Sequence, residues 1–126
     1  MVMQSPLARA RGLGSAKSGT RQWWFERVTA VALLPLSLWL VASLIGLVGA
    51  DHTVILVWIR DPLVAVPLLL FAAIMFWHLQ MGVKAVIEDY VHHEGAKIGM
   101  VLLVNFAVVV LATAAVFSIL KIAVGV

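Results

Sequence analysis

The chain contains no cysteine. Disulfides, iron–sulfur ligation and thiol catalysis within it are therefore excluded, and its redox compartment cannot be read. Charge is scarce as well. Asp, Glu, Lys and Arg make up 12% of its 126 residues, where soluble domains carry about 25%. Hydrophobic residues make up 63%, and the mean hydropathy is +1.09. A chain of this size cannot enclose so much apolar surface in a core of its own, so a bilayer is its natural solvent. Acidic residues are missing from Met1 to Arg21, and no internal repeat is present. The net charge of +3 is concentrated at that basic end. It reports membrane topology and gives little support to nucleic-acid binding.

What is there is three long apolar runs. Residues 1–22 form a basic, glycine-containing surface arm with Arg9, Arg11, Lys17 and Arg21. Its acid-poor composition also suits a transit peptide, but it leads straight into a membrane span. Residues 23–126 read as a three-helix transmembrane domain, with spans at about 28–48, 63–86 and 98–120. Each span is long enough for a hydrocarbon layer of ~30 Å. The fold class is an all-α membrane protein. Trp23, Trp24 and Phe25 precede the first span, at headgroup level. Pro35 should kink that span mildly. Pro62 and Pro67 fall near the start of the second, where proline is best tolerated. Residues 50–61 and 87–97 read as connecting loops.

Basic residues set the orientation. Arg9, Arg11, Lys17, Arg21 and Arg27 precede the first span, and the following loop has only Arg60. The positive-inside rule puts the N-terminus and the 87–97 loop in the cytoplasm. The 50–61 loop and the C-terminus lie outside. A bacterial inner (plasma) membrane is the expected location, with the mitochondrial inner membrane as the alternative.

His78 is the residue to explain. It lies in the uncharged apolar run Pro62 to Val83. A histidine at that depth is unfavourable unless it is paired, ligated or hydrogen-bonded. One reading is a packing histidine bonded to another helix. The other is an axial ligand to haem iron, with Gly82 at i+4 letting a flat macrocycle approach the backbone. Met75 and Met81, at i−3 and i+3, offer polarizable contacts. A lone histidine fills one axial position, so a second would come from another chain. Eleven residues after His78 comes Asp89, close to three helical turns on and ~16 Å along the axis. Tyr90 follows.

Asp89 and Tyr90 read either as a solvated acid beside an interface tyrosine or as a quinone site. A phenol can donate to a quinone carbonyl, and an acid with water access can help deliver the two protons of reduction. Arg27, at the start of the first span, is expected at the same membrane face as Asp89. It is either an ordinary positive-inside anchor or a ligand for haem propionates or a quinone headgroup. His92 and His93 are adjacent, which suits chelation poorly, and read as solvated loop histidines. Asn105 reads as a helix–helix hydrogen bond. No residue is assigned a catalytic role in covalent chemistry.

His78-Leu79-Gln80-Met81-Gly82 followed by Glu88-Asp89-Tyr90 resembles the small membrane-anchor subunit of succinate dehydrogenase, the succinate–quinone reductase of respiratory complex II. That family reads H-x-x-x-G and then D-Y, with the aspartate eleven residues after the histidine. Trp23-Trp24-Phe25-Glu26-Arg27-Val28-Thr29-Ala30 is similar to the start of the family's first helix. The resemblance covers nearly the whole chain. It implies a second three-helix cytochrome b anchor subunit, the two together forming a heterodimeric helix bundle around haem b. It also implies docking of a flavoprotein and an iron–sulfur subunit on the cytoplasmic face, and ubiquinone as substrate. By the same resemblance His78 is the haem b axial ligand and hence the ligand to its iron. Gly82 allows the haem's approach, Tyr90 donates to the quinone, Asp89 is its neighbour, and Arg27 lies near the propionates or headgroup. The chain would not be catalytic alone. The alternatives are a cytochrome b anchor of fumarate reductase or another membrane dehydrogenase, and a small non-redox membrane adaptor.

The absence of native cysteine makes the topology testable by single-cysteine labelling. Ser15→Cys should react with an impermeant thiol reagent from the cytoplasmic side only, and Thr53→Cys from the opposite side only. Labelling of both from one side would refute the three-span arrangement.

Overall fold

A computed structural model describes residues 5–10, 12 and 17–126, and every regular element among them is an α-helix. These are α1 (Pro6–Ala10), α2 (Lys17–Gly46), α3 (His52–Arg60), α4 (Pro62–Tyr90) and α5 (Glu94–Val124). Much of the basic arm, including Arg11 and residues 13–16, lies outside the described residues, as do the side chains of Arg9 and Lys17. From Lys17 onward that arm is helical and continuous with the first span.

Three helices are long and apolar enough to cross a membrane: Gly19–Gly46, Pro62–Tyr90 and Glu94–Val124, with mean hydropathies of 2.2, 2.1 and 2.6. None has a wide polar stripe, the pattern of a helix with no aqueous face. At 28, 29 and 31 residues, and ~1.5 Å per residue, they exceed a ~30 Å hydrocarbon layer and must tilt or project from it. Alpha2 runs unbroken through Pro35, and α4 through Pro67.

The middle of the assembly is α4. It packs against α2 on one side and α5 on another, while the backbones of α2 and α5 do not come close to each other among the described residues. The three spans are thus an open row and not a closed bundle. Very little is enclosed. Among the described residues, the buried hydrophobic ones are Val64, Ala65, Ala72 and Ile87, all on α4.

Two connections differ from the sequence reading. Residues 50–61 are not simply a loop, because they contain α3. Its run Val54-Ile55-Leu56-Val57-Trp58-Ile59 is too apolar to lie in water. Beside lipid, such a backbone satisfies its own hydrogen bonds best as a helix. Trp58 stacks on Trp39 of α2 with ring centroids 6.1 Å apart. At the far end of α3, Arg60 Nε donates to the Ile122 carbonyl at 3.4 Å, in the last turn of α5. Gly125, at φ +80°, then ends α5 in the left-handed conformation. Asp61 accepts from the backbone N–H of Leu63 at 2.9 Å and so caps α4, with Pro62 in the first turn where no N–H is needed.

The second connection is shorter than residues 87–97. Alpha4 continues through Tyr90 and α5 begins at Glu94, leaving only residues 91–93 between them. His93 Nδ1 accepts from the Ala96 N–H at 3.2 Å and caps α5. His93 is an exposed residue of the connection, as the sequence suggested, and also serves as the cap of α5. So tight a turn forces α4 and α5 antiparallel and adjacent.

Several polar groups on the spans find partners within the chain. Gln80 Nε2 donates to Asn105 Oδ1 at 2.7 Å, joining α4 to α5 as expected for Asn105. Ser43 and Ser118 donate to carbonyls four residues back, Trp39 at 2.8 Å and Ala114 at 2.7 Å. Asn105→Leu leaves the Gln80 amide unpaired. It should lower the thermal stability of the detergent-solubilised complex by about 0.5–2 kcal/mol, the range for an interhelical hydrogen bond in a membrane protein. Gln80→Leu combined with Asn105→Leu should recover part of that loss, because both unpaired groups are then gone. An unchanged melting midpoint in Asn105→Leu would show that this contact contributes nothing.

Candidate functional site

The site grows from one position on α2 and one on α4. Thr29 is 4% exposed, the one buried polar residue among those described. Its hydroxyl donates to the carbonyl of Phe25, 2.7 Å away, with that of Glu26 at 3.1 Å. Its oxygen is also 2.8 Å from Nδ1 of His78, across the helix interface. The Phe25 ring lies 5.1 Å from the Trp77 ring, centroid to centroid, on the same seam. This aromatic contact and the polar one together fix how α2 stands beside α4.

With Nδ1 engaged, His78 keeps Nε2 without a hydrogen-bond partner among the described residues. His78 borders a groove of about 430 Å³, lined also by Leu79, Gly82, Val83 and Val86. Positions i, i+4 and i+8 recur because they share one helical face. A Cβ built on Gly82 would meet nothing within 4 Å. No contact inside this chain explains that glycine, although glycine costs ~1 kcal/mol against alanine in a helix interior. The flat floor opens to whatever covers the face. Met75 and Met81 do not line this groove; its walls are leucine and valine.

This donor set suits a haem. A haem brings four equatorial nitrogens of its own and needs from the protein only axial nitrogen, apolar walls and a flat approach. Among the described residues, no three His, Asp or Glu side chains come together to hold a bare metal ion.

Asp89 and Tyr90 occupy the last turn of α4, and both are exposed, Tyr90 at 78%. Because α4 is unbroken from Pro62 to Tyr90, the eleven-residue spacing does place His78 and Asp89 on nearly one face, ~16 Å apart along the axis. Tyr90 points ~100° further round. Arg27 does not join them. It is exposed, with its guanidinium 5.5 Å from the centroid of the Trp23 ring. It lies two residues from Thr29, hence ~3 Å in height and ~200° around α2. Arg27 is therefore nearer the level of His78 than of Asp89, while both stand toward the same end of the spans, Arg27 early in α2 and Asp89 in the last turn of α4.

Thr29 was visible in the sequence only as part of a motif. Nothing in one chain's periodicity says which residue of α2 meets which residue of α4, so its bond to His78 could not be read.

Residues 1–116 match the family described as succinate dehydrogenase/fumarate reductase transmembrane subunit. Among curated proteins, the chain is 30% identical over 108 residues to the succinate dehydrogenase hydrophobic membrane anchor subunit of Rickettsia conorii, covering 85% of this chain and 86% of that one. It is 33% identical over 88 residues to that of Rickettsia bellii, covering 70% of each. It is 33% identical over 124 residues to that of Paracoccus denitrificans, covering 96% and 93%. No solved structure matches the chain.

Proposed function

The chain belongs to the succinate dehydrogenase/fumarate reductase transmembrane subunit family and is a multi-pass membrane anchor; from that premise we propose that it also contributes one axial ligand to haem b and part of a ubiquinone site. The observation that carries the reading is His78. It stands on the open face of the middle helix, held through Nδ1, beside an apolar groove floored by Gly82. The second axial ligand comes from a second three-helix cytochrome b anchor subunit. That partner covers the α4 face that this chain leaves open. Bound there, haem b supplies a one-electron store inside the membrane. Arg27, close to the level of His78, is placed for the propionates better than for a quinone beside Asp89.

The membrane is taken to be a bacterial inner membrane, and the positive-inside rule puts the N-terminus in the cytoplasm. The iron–sulfur and flavoprotein subunits dock on that side, where α4 presents Asp89 and Tyr90 to water. The Tyr90 hydroxyl donates to a quinone carbonyl, and the Asp89 carboxylate lies one residue away to relay protons. Succinate is favoured over fumarate as the physiological substrate because the relatives compared are anchors named for succinate dehydrogenase.

His78→Ala should abolish or alter the b-type reduced-minus-oxidised spectrum of the assembled complex. An unchanged low-spin spectrum would remove His78 as a ligand. Tyr90→Phe deletes one hydroxyl and keeps the ring. Loss of one hydrogen bond of ~0.5–1.5 kcal/mol should slow succinate-to-quinone turnover about 2- to 13-fold. Succinate oxidation by an artificial dye, which takes electrons upstream, should stay near normal. Asp89→Asn should show a milder, pH-dependent defect. Equal loss of quinone and dye activities would indicate misassembly, and full quinone activity in Tyr90→Phe would move the donor to a partner chain.

A further inference from the structure

The Thr29 hydroxyl carries a single proton and sits in more short contacts than one proton can bridge. Its oxygen is 2.7 Å from the Phe25 carbonyl oxygen and 2.8 Å from His78 Nδ1. The Glu26 carbonyl lies on the same side, at 3.1 Å. A carbonyl oxygen only accepts, so the proton in the α2 contacts must come from Thr29. A neutral imidazole carries its own proton on one of two nitrogens. If Nδ1 were bare, it would compete with Phe25 for the hydroxyl proton. Whichever lost would leave two lone pairs facing each other at under 3 Å in a buried seam. An unmade bond of that kind is costly and rare. If Nδ1 carries the ring proton, His78 donates to Thr29, Thr29 donates to Phe25, and each short contact has its own proton.

We propose that Thr29 is a positioning residue that fixes His78 as the Nδ1–H tautomer and turns the Nε2 lone pair into the groove beside Gly82. The arrangement is rigid on both sides. The threonine rotamer is held by its bond to the preceding turn of α2. The Phe25–Trp77 contact, at 5.1 Å between centroids, keeps α2 and α4 in register next to it. In a neutral imidazole, the nitrogen opposite the protonated one is the free ligand. Thr29 thus sets both which nitrogen is available and where it points.

The inference rests on His78 being an axial haem ligand, and it adds a direction. Donating the Nδ1 proton to an acceptor makes the ring a more basic ligand. A more basic ligand favours ferric over ferrous iron and lowers the reduction potential. Removing the acceptor should therefore raise it.

The test compares purified, assembled complexes carrying Thr29→Val, which has the same shape without the hydroxyl, and Thr29→Ser, which keeps it. Both are read by haem content, redox titration and low-temperature paramagnetic resonance of the oxidised haem. Thr29→Val should retain haem but favour its ferrous form about two- to tenfold at a fixed potential, the reach of one hydrogen bond. Tenfold corresponds to a rise of ~59 mV for one electron. Its low-spin g-values should move as well. Thr29→Ser should keep the wild-type midpoint and g-values. If Thr29→Val fails to assemble, Thr29→Ala is read in the same way. Wild-type midpoint and g-values in Thr29→Val, or equal displacement in Thr29→Val and Thr29→Ser, would overturn the role of the hydroxyl while leaving the haem assignment standing. A wild-type complex with no b-type spectrum would instead overturn the haem assignment, and this inference with it.

Discussion

A polar group on a membrane span has no water to fall back on, and that constraint organises this chain. Each unsatisfied group in hydrocarbon costs several kcal/mol. The spans answer locally where they can, as Ser43 and Ser118 do by donating one turn back. Where a side chain is too long for that, the answer is a neighbouring helix. Gln80 with Asn105 ties α4 to α5, and His78 with Thr29 ties α4 to α2. These two bonds leave α4 from nearby positions toward different neighbours. They account for α4 being the middle helix more directly than apolar packing does, since lipid tails solvate leucine as well as another helix would.

The same constraint explains how little the chain encloses. With four buried hydrophobic residues among those described, all on α4, the described chain has no core in the sense of a soluble domain. Burial stabilises a helix pair in water and does much less in lipid. What holds the open row together is a few hydrogen bonds, the Trp39–Trp58 and Phe25–Trp77 ring contacts, and the tight turn at residues 91–93. Such a row is a surface for assembly. Its open α4 face is where an anchor subunit would meet the rest of its complex.

The sequence made the spans legible because length and hydropathy are properties of a single segment. It also made the His78–Asp89 face legible, because spacing on one unbroken helix is arithmetic. The relative depth of residues on different helices is not encoded in that way. Arg27 and Asp89 both flank a span and so read as lying at one membrane face, but their difference in level depends on α2 meeting α4 through Thr29. That register is a tertiary property, and no period in either helix encodes it. Alpha3 was missed for another reason. Its nine residues fall short of a span, and the charges at its edges, Asp51 and Arg60, resemble loop boundaries. Its apolar middle was the available signal.

One helix carries both ends of the proposed chemistry, and their separation has a physical reason. A ligand nitrogen for iron must stay neutral and dry, which suits His78 deep in α4 with its other nitrogen held by Thr29. Quinone reduction takes up protons, so its donors must reach water, which suits Asp89 and Tyr90 at the exposed last turn. The two requirements cannot be met at one depth. Three turns of α4 place them ~16 Å apart, rigidly and with Asp89 on nearly the same face as His78. A flexible loop could reach water as easily, but it could not fix that distance. The continuation of α4 through Tyr90, past the point where the sequence suggested a loop, is therefore the feature that joins the dry site to the wet one.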